Sequence, residues 1–459
     1  MAIWTPRLPR GEKPIYLAVA DSILEDVRTG RLAPGARLPA QRELAKVLGV
    51  DFTTVTRAYA EARRRGLISA RVGQGTFVTR PVPGDPQAGA GGGLVDMSMN
   101  APPPIQDAPL VARMWRGLAE LEREHGADLL FRYQSPAGAP QDRAAGVSWL
   151  ADRIDNLSAE RLVVSAGVQA AIVTVLGEVA RAGEVICAPA LTYPGLRVAA
   201  GHLGLGLVDV TMDAEGPAPD SFERVCREVG PKALYCTPTL QNPTTATMSV
   251  GRRREIARIA RRYGVALVED DVYGTLPRSP APPLANFAPE RTWHIAGLAK
   301  VVSPALRIAY VIAPDARGAG RLAAGLRALT GMASPLTAAL ATHWIRDGTA
   351  AEIRTAIQAE TLARRRIAAD ALGPDHLACE AFHLWLPLPK GWSRAVFHEE
   401  LARRQVSVVP SDAFAITSHP PEAVRIGLGA APTREELGRA MQWVREVLDG
   451  PRTGSAAIV

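Results

Sequence analysis

Residues 293–310 read Trp-His-Ile-Ala-Gly-Leu-Ala-Lys-Val-Val-Ser-Pro-Ala-Leu-Arg-Ile-Ala-Tyr. An apolar run, 293–296, stops at Gly297, and Lys300 follows among Leu298, Ala299, Val301 and Val302. The chain is poor in lysine: beside Lys300 it has only Lys13, Lys46, Lys232 and Lys390, and its other basic residues are Arg. A guanidinium does not deprotonate in proteins, so Lys is needed where a free amine must form. Desolvation favours the neutral amine, and a neutral amine attacks a carbonyl. The same residues would also suit a lysine that snorkels its head to water from a core edge. The surroundings decide between the two.

Outward from that stretch, short apolar runs alternate with helical stretches. The runs are 162–164, 185–188, 206–210, 233–236, 266–268, 293–296 and 308–312, with amphipathic segments such as 168–180 and 251–263 between them. This alternation predicts an α/β body with a mostly parallel, seven-stranded sheet wrapped by helices. Ligands of such sheets bind beyond the carboxyl ends of the strands. There the chain places Gly167-Val168-Gln169 opening a helix, where free N–H groups suit a phosphate. Tyr193 offers a ring to stack or to pack, and Asn242 before Pro243 presents its amide from extended backbone. Glu269-Asp270-Asp271-Val272-Tyr273 follows another run, and carboxylates there are costly unless paired. Asp270 suits a pyridinium N–H, Tyr273 a phenolate oxygen, and Arg307 a phosphate beyond Lys300. Amine, carboxylate, hydroxyl, stacking ring and phosphate cup are together what pyridoxal 5′-phosphate requires.

Further on, helices are expected near 335–346 and 350–371, strands at 383–388, 406–409 and 423–428, and a last helix at 433–448. These predict a smaller α+β domain. Cys187, Cys226, Cys236 and Cys379 form no Cys-x-x-Cys pair, and no His spacing suits a metal, so no metal site is expected. No apolar run reaches the length of a membrane span and the start lacks a signal peptide, so a cytoplasmic protein is expected, at the nucleoid when bound to DNA.

The net charge of +7 is unevenly placed. Residues 1–80 hold 14 Lys/Arg against 7 Asp/Glu, which leaves the remainder balanced at 39 of each. A basic head on a neutral body points to nucleic acid. Helical stripes at 14–29, 40–48 and about 51–65 are stopped by Gly30, Gly49 and Gly66. A small hairpin, 67–69 and 76–78, turns at Val72-Gly73-Gln74-Gly75. This is a winged helix-turn-helix, with the third helix in the major groove and the wing on the backbone. Arg42, Thr53, Thr54, Arg57 and the wing's Gly75 are the candidate DNA contacts. Residues 81–95, rich in Pro and Gly, read as a flexible linker between a head (1–80) and a body (96–459). The body divides into a large part, about 130–330, and a small part, about 331–450.

The stretch Leu-Pro-Ala-Gln-Arg-Glu-Leu-Ala-Lys-Val-Leu-Gly-Val-Asp-Phe-Thr-Thr-Val-Thr-Arg-Ala-Tyr, followed by Gly-Gln-Gly-Thr-Phe-Val, resembles the GntR family of bacterial regulators. That family usually has Ser-Arg where this chain has Asp51-Phe52, so one DNA-contacting Arg is absent. Either the preferred site differs or Arg57 and residues 63–65 compensate. Gly167-Val168-Gln169, Thr192-Tyr193-Pro194-Gly195, Gln241-Asn242-Pro243-Thr244, 269–273 and Lys300 with Arg307 resemble fold-type I aminotransferases.

By that resemblance Lys300 forms the internal aldimine with pyridoxal phosphate. Asp270 pairs with the ring nitrogen, Tyr273 and Asn242 bind O3′, and Tyr193 stacks. Gly167, Val168, Gln169 and Arg307 take the phosphate, and Arg425 binds a substrate carboxylate. The family usually has Ser at the positions of Val168, Gly297 and Ala299, and Gly at that of Thr245, so cofactor affinity is expected to be reduced.

The two halves together resemble the MocR subfamily of transcription regulators. The implied function is DNA binding gated by an amine or amino acid that forms an external aldimine at Lys300, without net turnover, in a head-to-tail homodimer. Two alternatives stay open: an active aminotransferase with an appended head, and a regulator of vitamin B6 synthesis that senses pyridoxal phosphate itself.

Overall fold

The computed structural model describes residues 4–6, 15–28, 31–32, 36–64, 67–71, 75–78, 94–377 and 379–450. The chain divides into two units, Met1–Gly93 and Leu94–Val459. In the first, α1 (Ile15–Arg28), α2 (Gln41–Leu48) and α3 (Phe52–Arg64) bury Val19, Ile23, Leu44, Val55 and Tyr59 in one core. Gly49 takes the left-handed conformation (φ 66°) that ends α2. The Asp51 carboxylate accepts from Thr53 N at 2.7 Å, satisfying a donor at the start of α3. β1 (Ile68–Arg71) and β2 (Gly75–Val78) pair antiparallel as the wing. The winged helix-turn-helix is therefore present, while residues 79–93, most of the linker, lie outside the described residues.

The second unit begins with β3 (Val95–Asp96), followed by β4 (Leu162–Ser165), β5 (Val185–Pro189) and β6 (Gly206–Val210). A short hairpin, β7 (Met212–Asp213) and β8 (Gly216–Pro217), precedes β9 (Ala233–Cys236), β10 (Ala266–Asp270), β11 (Thr292–Gly297) and β12 (Ala309–Ile312). Seven of these form one sheet in the order β4-β12-β11-β10-β9-β5-β6. Only β12 runs antiparallel to its neighbours, β11 and β4. Strands β9 and β11 are buried along their whole length, because helices cover both faces. Ile172 and Leu322, from helices Val168–Val179 and Ala316–Thr330, pack with Val268 and Val311 in one cluster. Ile256, from Val250–Tyr263, packs with Leu234 and Leu267 in another. The apolar pattern does not announce two further helices, Ala108–His125 and Pro140–Leu150.

The smaller part contains β13 (His383–Pro387), β14 (Val406–Ser407), β15 (Val409–Pro410) and β16 (Ala423–Gly427). β13, β16 and β15 form an antiparallel sheet packed with helices Arg394–Arg403 and Arg434–Asp449. Val95, placed at the linker's end by composition, belongs to the body instead. It is buried, and β3 pairs in parallel with β14, because an apolar side chain with a free edge strand beside it is better placed there than in water. No helix among the described residues is long and apolar enough to cross a membrane.

After β3 the chain crosses β16, where Gly427 N donates to Met97 O at 2.8 Å. No side chain fits at this crossing: a Cβ on Gly427 would run into the Met99 carbonyl oxygen, and one on Gly429 into that of Ala101. Gly427→Ala is therefore expected to destabilise the body by about 1–3 kcal/mol. Gly177→Ala, whose Cβ meets only Leu203 Cδ2 at 4.0 Å, should be neutral or slightly stabilising. Thermal unfolding of both variants checks the contrast.

Candidate cofactor and effector site

Asp270 is the last residue of β10 and is buried. Tyr235 Oη, on the neighbouring β9, donates to Asp270 Oδ2 at 2.6 Å, and Oδ1 has no partner. Burial pushes the carboxyl up to about 6, against the Tyr235 hydrogen bond. The two adjacent acids are satisfied differently. Asp271 Oδ2 pairs with Arg153 Nη2 at 2.5 Å, and Glu269 accepts from Leu284 N (2.7 Å) and Ala285 N (3.0 Å). Asp271 Oδ1 is also unpaired, but Asp271 already has a guanidinium, so Asp270 is the acid without a cation in contact and suits a ring N–H. β11 ends at Gly297, and the turn after it carries Lys300. Burial, with the Arg425 charge, brings its ammonium down to about 8, and Nζ donates to the Asn100 carbonyl.

The remaining body residues singled out by sequence converge here. Arg307 has φ 52° and sets its guanidinium against Gly167, where a Cβ would lie 3.3 Å from Nη2. Gly167 itself, at φ 89°, starts the helix Val168–Val179 with N–H groups that have no intrahelical partner. Tyr193 precedes the helix Pro194–His202, and burial raises its phenol, with Asp270 and Arg307 close enough to add their charges. Asn242 Oδ1 accepts from Arg425 Nη1 at 3.0 Å, which leaves the amide nitrogen as a donor. Arg425, on β16, also donates to the Ser98 carbonyl and lies 4.8 Å from the Phe414 ring centre. Tyr273 is buried, and its hydroxyl accepts from Asn100 Nδ2 at 2.7 Å.

Two expectations need correction. Gln169 is expected to take the phosphate, but its side chain is engaged elsewhere: Nε2 donates to Gly195 O at 3.0 Å and Oε1 is left as an acceptor. Only its main-chain N–H at the helix start remains for an anion. Val168 brings no polar side chain: its Cγ2 fills the room beside Gly297, which a Ser there would need, and only its main-chain N–H is left for an anion. Thr245, where the family usually has Gly, does hold a glycine-like φ of 64°.

Sequence patterns do not point to Ser98, Asn100, Tyr235 or His383. Tyr235 sits inside an apolar run, and the register of β9 with β10 brings it beside Val268, near Asp270. Ser98 and Asn100 follow the short β3, which lies outside the seven-stranded sheet. The one local signal was Pro102-Pro103-Pro104, which excludes a helix starting before it.

On the head, Arg42, Thr53 and Arg57 are exposed, Thr54 is half-buried, and Gly75 starts β2. The Thr53 hydroxyl is tied to Asp51 Oδ1 at 2.5 Å, so its proton is not free for a phosphate. Arg57 stacks on Tyr16 (4.6 Å) and Arg42 on Phe52 (5.8 Å), an exposed ring.

The model of bacterial regulatory proteins of the gntR family matches residues 15–78, and that of aminotransferase class I and II matches 94–444. The chain belongs to the MocR subfamily of GntR-type regulators. It is 32% identical to the HTH-type transcriptional regulator YdeF of Bacillus subtilis over 97% of each chain. It is 26% identical to the vitamin B6 salvage pathway transcriptional repressor PtsJ of Salmonella typhimurium, over 89% of this chain and 93% of that one. The fold matches that of LysN, an α-aminoadipate aminotransferase of Thermus thermophilus, at 22% identity and a TM-score of 0.69, covering 78% of this chain and 92% of LysN. The body of this MocR chain is therefore an aminotransferase fold, and its head is a DNA-binding domain.

The lysine of this MocR body should be reactive near neutrality. Capture of an aromatic aldehyde at Lys300, trapped with borohydride, should reach half its limiting rate near pH 8. An ordinary lysine would do so near ~10.4. Peptide mapping across a pH series measures it, and a midpoint above ~10 would mean the amine is fully solvated.

Proposed function

We propose that this protein is a pyridoxal-phosphate-dependent transcription regulator that senses an amine or amino acid at Lys300. The reading rests on one observation: Lys300, Asp270, Tyr273, Asn242, Arg307 and Arg425 surround a single site in a chain that also carries a DNA-binding head. Asp270 Oδ1 would hold the ring nitrogen, and Tyr273 and Asn242 the ring oxygen. Arg307 with the N–H groups around Gly167 would hold the phosphate, and Tyr193 would stack. When bound, the cofactor supplies an aldehyde for which an incoming amine competes with Lys300. Arg425 then anchors the effector's carboxylate, and burial strengthens that contact. Operator affinity changes only by as much as the effector discriminates between the body's states. In this reading the protein binds and releases its effector without net turnover, in the cytoplasm and at the nucleoid.

A homodimer fits the surface. Leu130, Phe131 and Tyr133 are consecutive or nearly so and are 65%, 84% and 95% exposed, and Trp115 is 68% exposed. A run of large apolar groups in water is the usual mark of a protein contact.

A second reading makes pyridoxal phosphate itself the effector. Val168 packed at Gly297 removes hydroxyl room from the phosphate end, and the relative PtsJ is named a vitamin B6 salvage pathway repressor.

Visible absorption of the purified chain with pyridoxal phosphate, with and without an amine panel, tests both. A band should form, be fixed by borohydride, and be lost in Lys300→Ala. Arg425→Ala should weaken a carboxylate-bearing effector by about 1.5–3 kcal/mol, or roughly 10- to 100-fold, while leaving the band intact. Operator binding that shifts with pyridoxal phosphate alone favours the second reading. Operator binding indifferent to cofactor and every amine defeats both.

A further inference from the structure

Asn100 is buried in the body and reaches the site with both its main chain and its side chain. Its carbonyl accepts from Lys300 Nζ. Its Nδ2 lies 2.7 Å from Tyr273 Oη and 3.4 Å from His383 Nδ1. His383 Nε2 in turn lies 3.3 Å from the Gln241 carbonyl oxygen.

The direction of every hydrogen bond in this chain of groups follows from one fact. A main-chain carbonyl can only accept, so His383 Nε2 carries the proton. The ring is buried on β13, with Arg425, Arg365 and Lys300 adding positive charge around it, and these hold its pKa down to about 3. It is therefore neutral, and Nδ1 bears a lone pair. Only the amide nitrogen of Asn100 can face that lone pair, since Oδ1 there would set two acceptors against each other. The second hydrogen of the same nitrogen goes to Tyr273 Oη. Tyr273 then receives a hydrogen bond, and its own proton is left to donate. Asn100 Oδ1 is buried without a partner, so the amide is held in this orientation by what its nitrogen gives.

We propose that Asn100 is a positioning residue that commits the Tyr273 hydroxyl to donate toward the ring oxygen of the bound cofactor. It acts through Tyr273 and touches no reacting atom with its side chain. The relay runs from Gln241 C=O through His383 and Asn100 to Tyr273. It favours the deprotonated ring oxygen, and so lowers the pH at which the cofactor's visible band titrates. This inference rests on the cofactor reading above, but its first half is testable without cofactor.

Two measurements on the full chain decide it. In cofactor-free protein with ¹⁵N-labelled histidine, the resonance lost in His383→Gln should show the tautomer protonated at Nε2. The tautomer protonated at Nδ1 would overturn the relay. In protein loaded with pyridoxal phosphate, Asn100→Asp replaces the donor by an isosteric acceptor that draws the Tyr273 proton away. The midpoint of the visible band should rise by about one pH unit, a tenfold change in acidity, with Asn100→Ala shifting it less in the same direction. A midpoint within roughly 0.2 unit of the wild type in Asn100→Asp would also overturn it. If the wild-type chain bound no pyridoxal phosphate, the cofactor reading would fail, and the His383 tautomer alone would decide the relay.

Discussion

Asp270 is buried and Lys300 half-buried, and among the described residues neither has an opposite charge in contact. A direct buried ion pair would hold both groups ionised and would close each to a ligand. Here desolvation pushes each toward its neutral form, the carboxyl up to about 6 and the ammonium down to about 8. Both shifts oppose folding, by roughly 3 kcal/mol each at the end of their range. The lysine cost is in force below pH about 8 and is relieved as pH rises toward the unfolded value. The aspartate cost is in force above about 6 and is relieved as pH falls. Near neutrality both operate. Strand geometry keeps the two groups from collapsing together. Asp270 ends β10 opposite Ile295 in the middle of β11, whereas Lys300 comes only after β11 has run on to Gly297 and turned.

Other buried charges near the site are compensated, which is what makes these two stand out. Asp271 has Arg153, and Glu269 has two main-chain N–H groups with His294 Nδ1 at 2.9 Å. Arg425 is bound to Asn242 on one side and Ser98 on the other. That single guanidinium joins β16 of the smaller part, the loop after β9 and the segment following β3. A carboxylate that takes its hydrogens must compete with the Ser98 carbonyl. Ser98 and Asn100 lie in the first stretch of the body after residues 79–93, which connect it to the head. Both of the groups that would meet an amino acid, Lys300 and Arg425, are therefore bonded to main chain within a few residues of that connection.

How much of this could be read in advance follows from periodicity. Seven apolar runs correspond to seven strands, because parallel strands covered on both faces must be apolar nearly throughout. Lys300, Asp270, Tyr273, Asn242 and Arg307 could be found because strand ends in such a sheet share one side. Asn100 could not, since no period marks a segment held by main-chain contacts to Gly427 and Gly429. His383 is hidden for a related reason: it begins a strand, and its neutrality comes from burial between Tyr273, Phe382 and Arg425, none of them near it in sequence except Phe382. The side chain of Gln169 was not legible, because a position at a helix start says nothing of where the amide turns, and the Gly195 carbonyl holds it.

Val168 and Gly297 differ from the usual aminotransferase pattern together, and the structure makes them one change rather than two. The Val168 methyl occupies the place that a side chain at 297 would fill, so a Ser could return at 297 only after Val168 had shrunk. A site losing its function at random would leave a void there or strip the ring end as well. Instead the packing is kept, and Asp270, Tyr273 and Lys300 remain in place while hydroxyls are missing from the phosphate end alone. Each hydrogen bond to a charged phosphate is worth about 1.5–3 kcal/mol, so two fewer would raise a dissociation constant by roughly two to four orders of magnitude. An enzyme would gain nothing from so loose a grip on its cofactor. A regulator that senses pyridoxal phosphate itself, the second reading above, would, because it responds only where the concentration of that ligand lies near the dissociation constant.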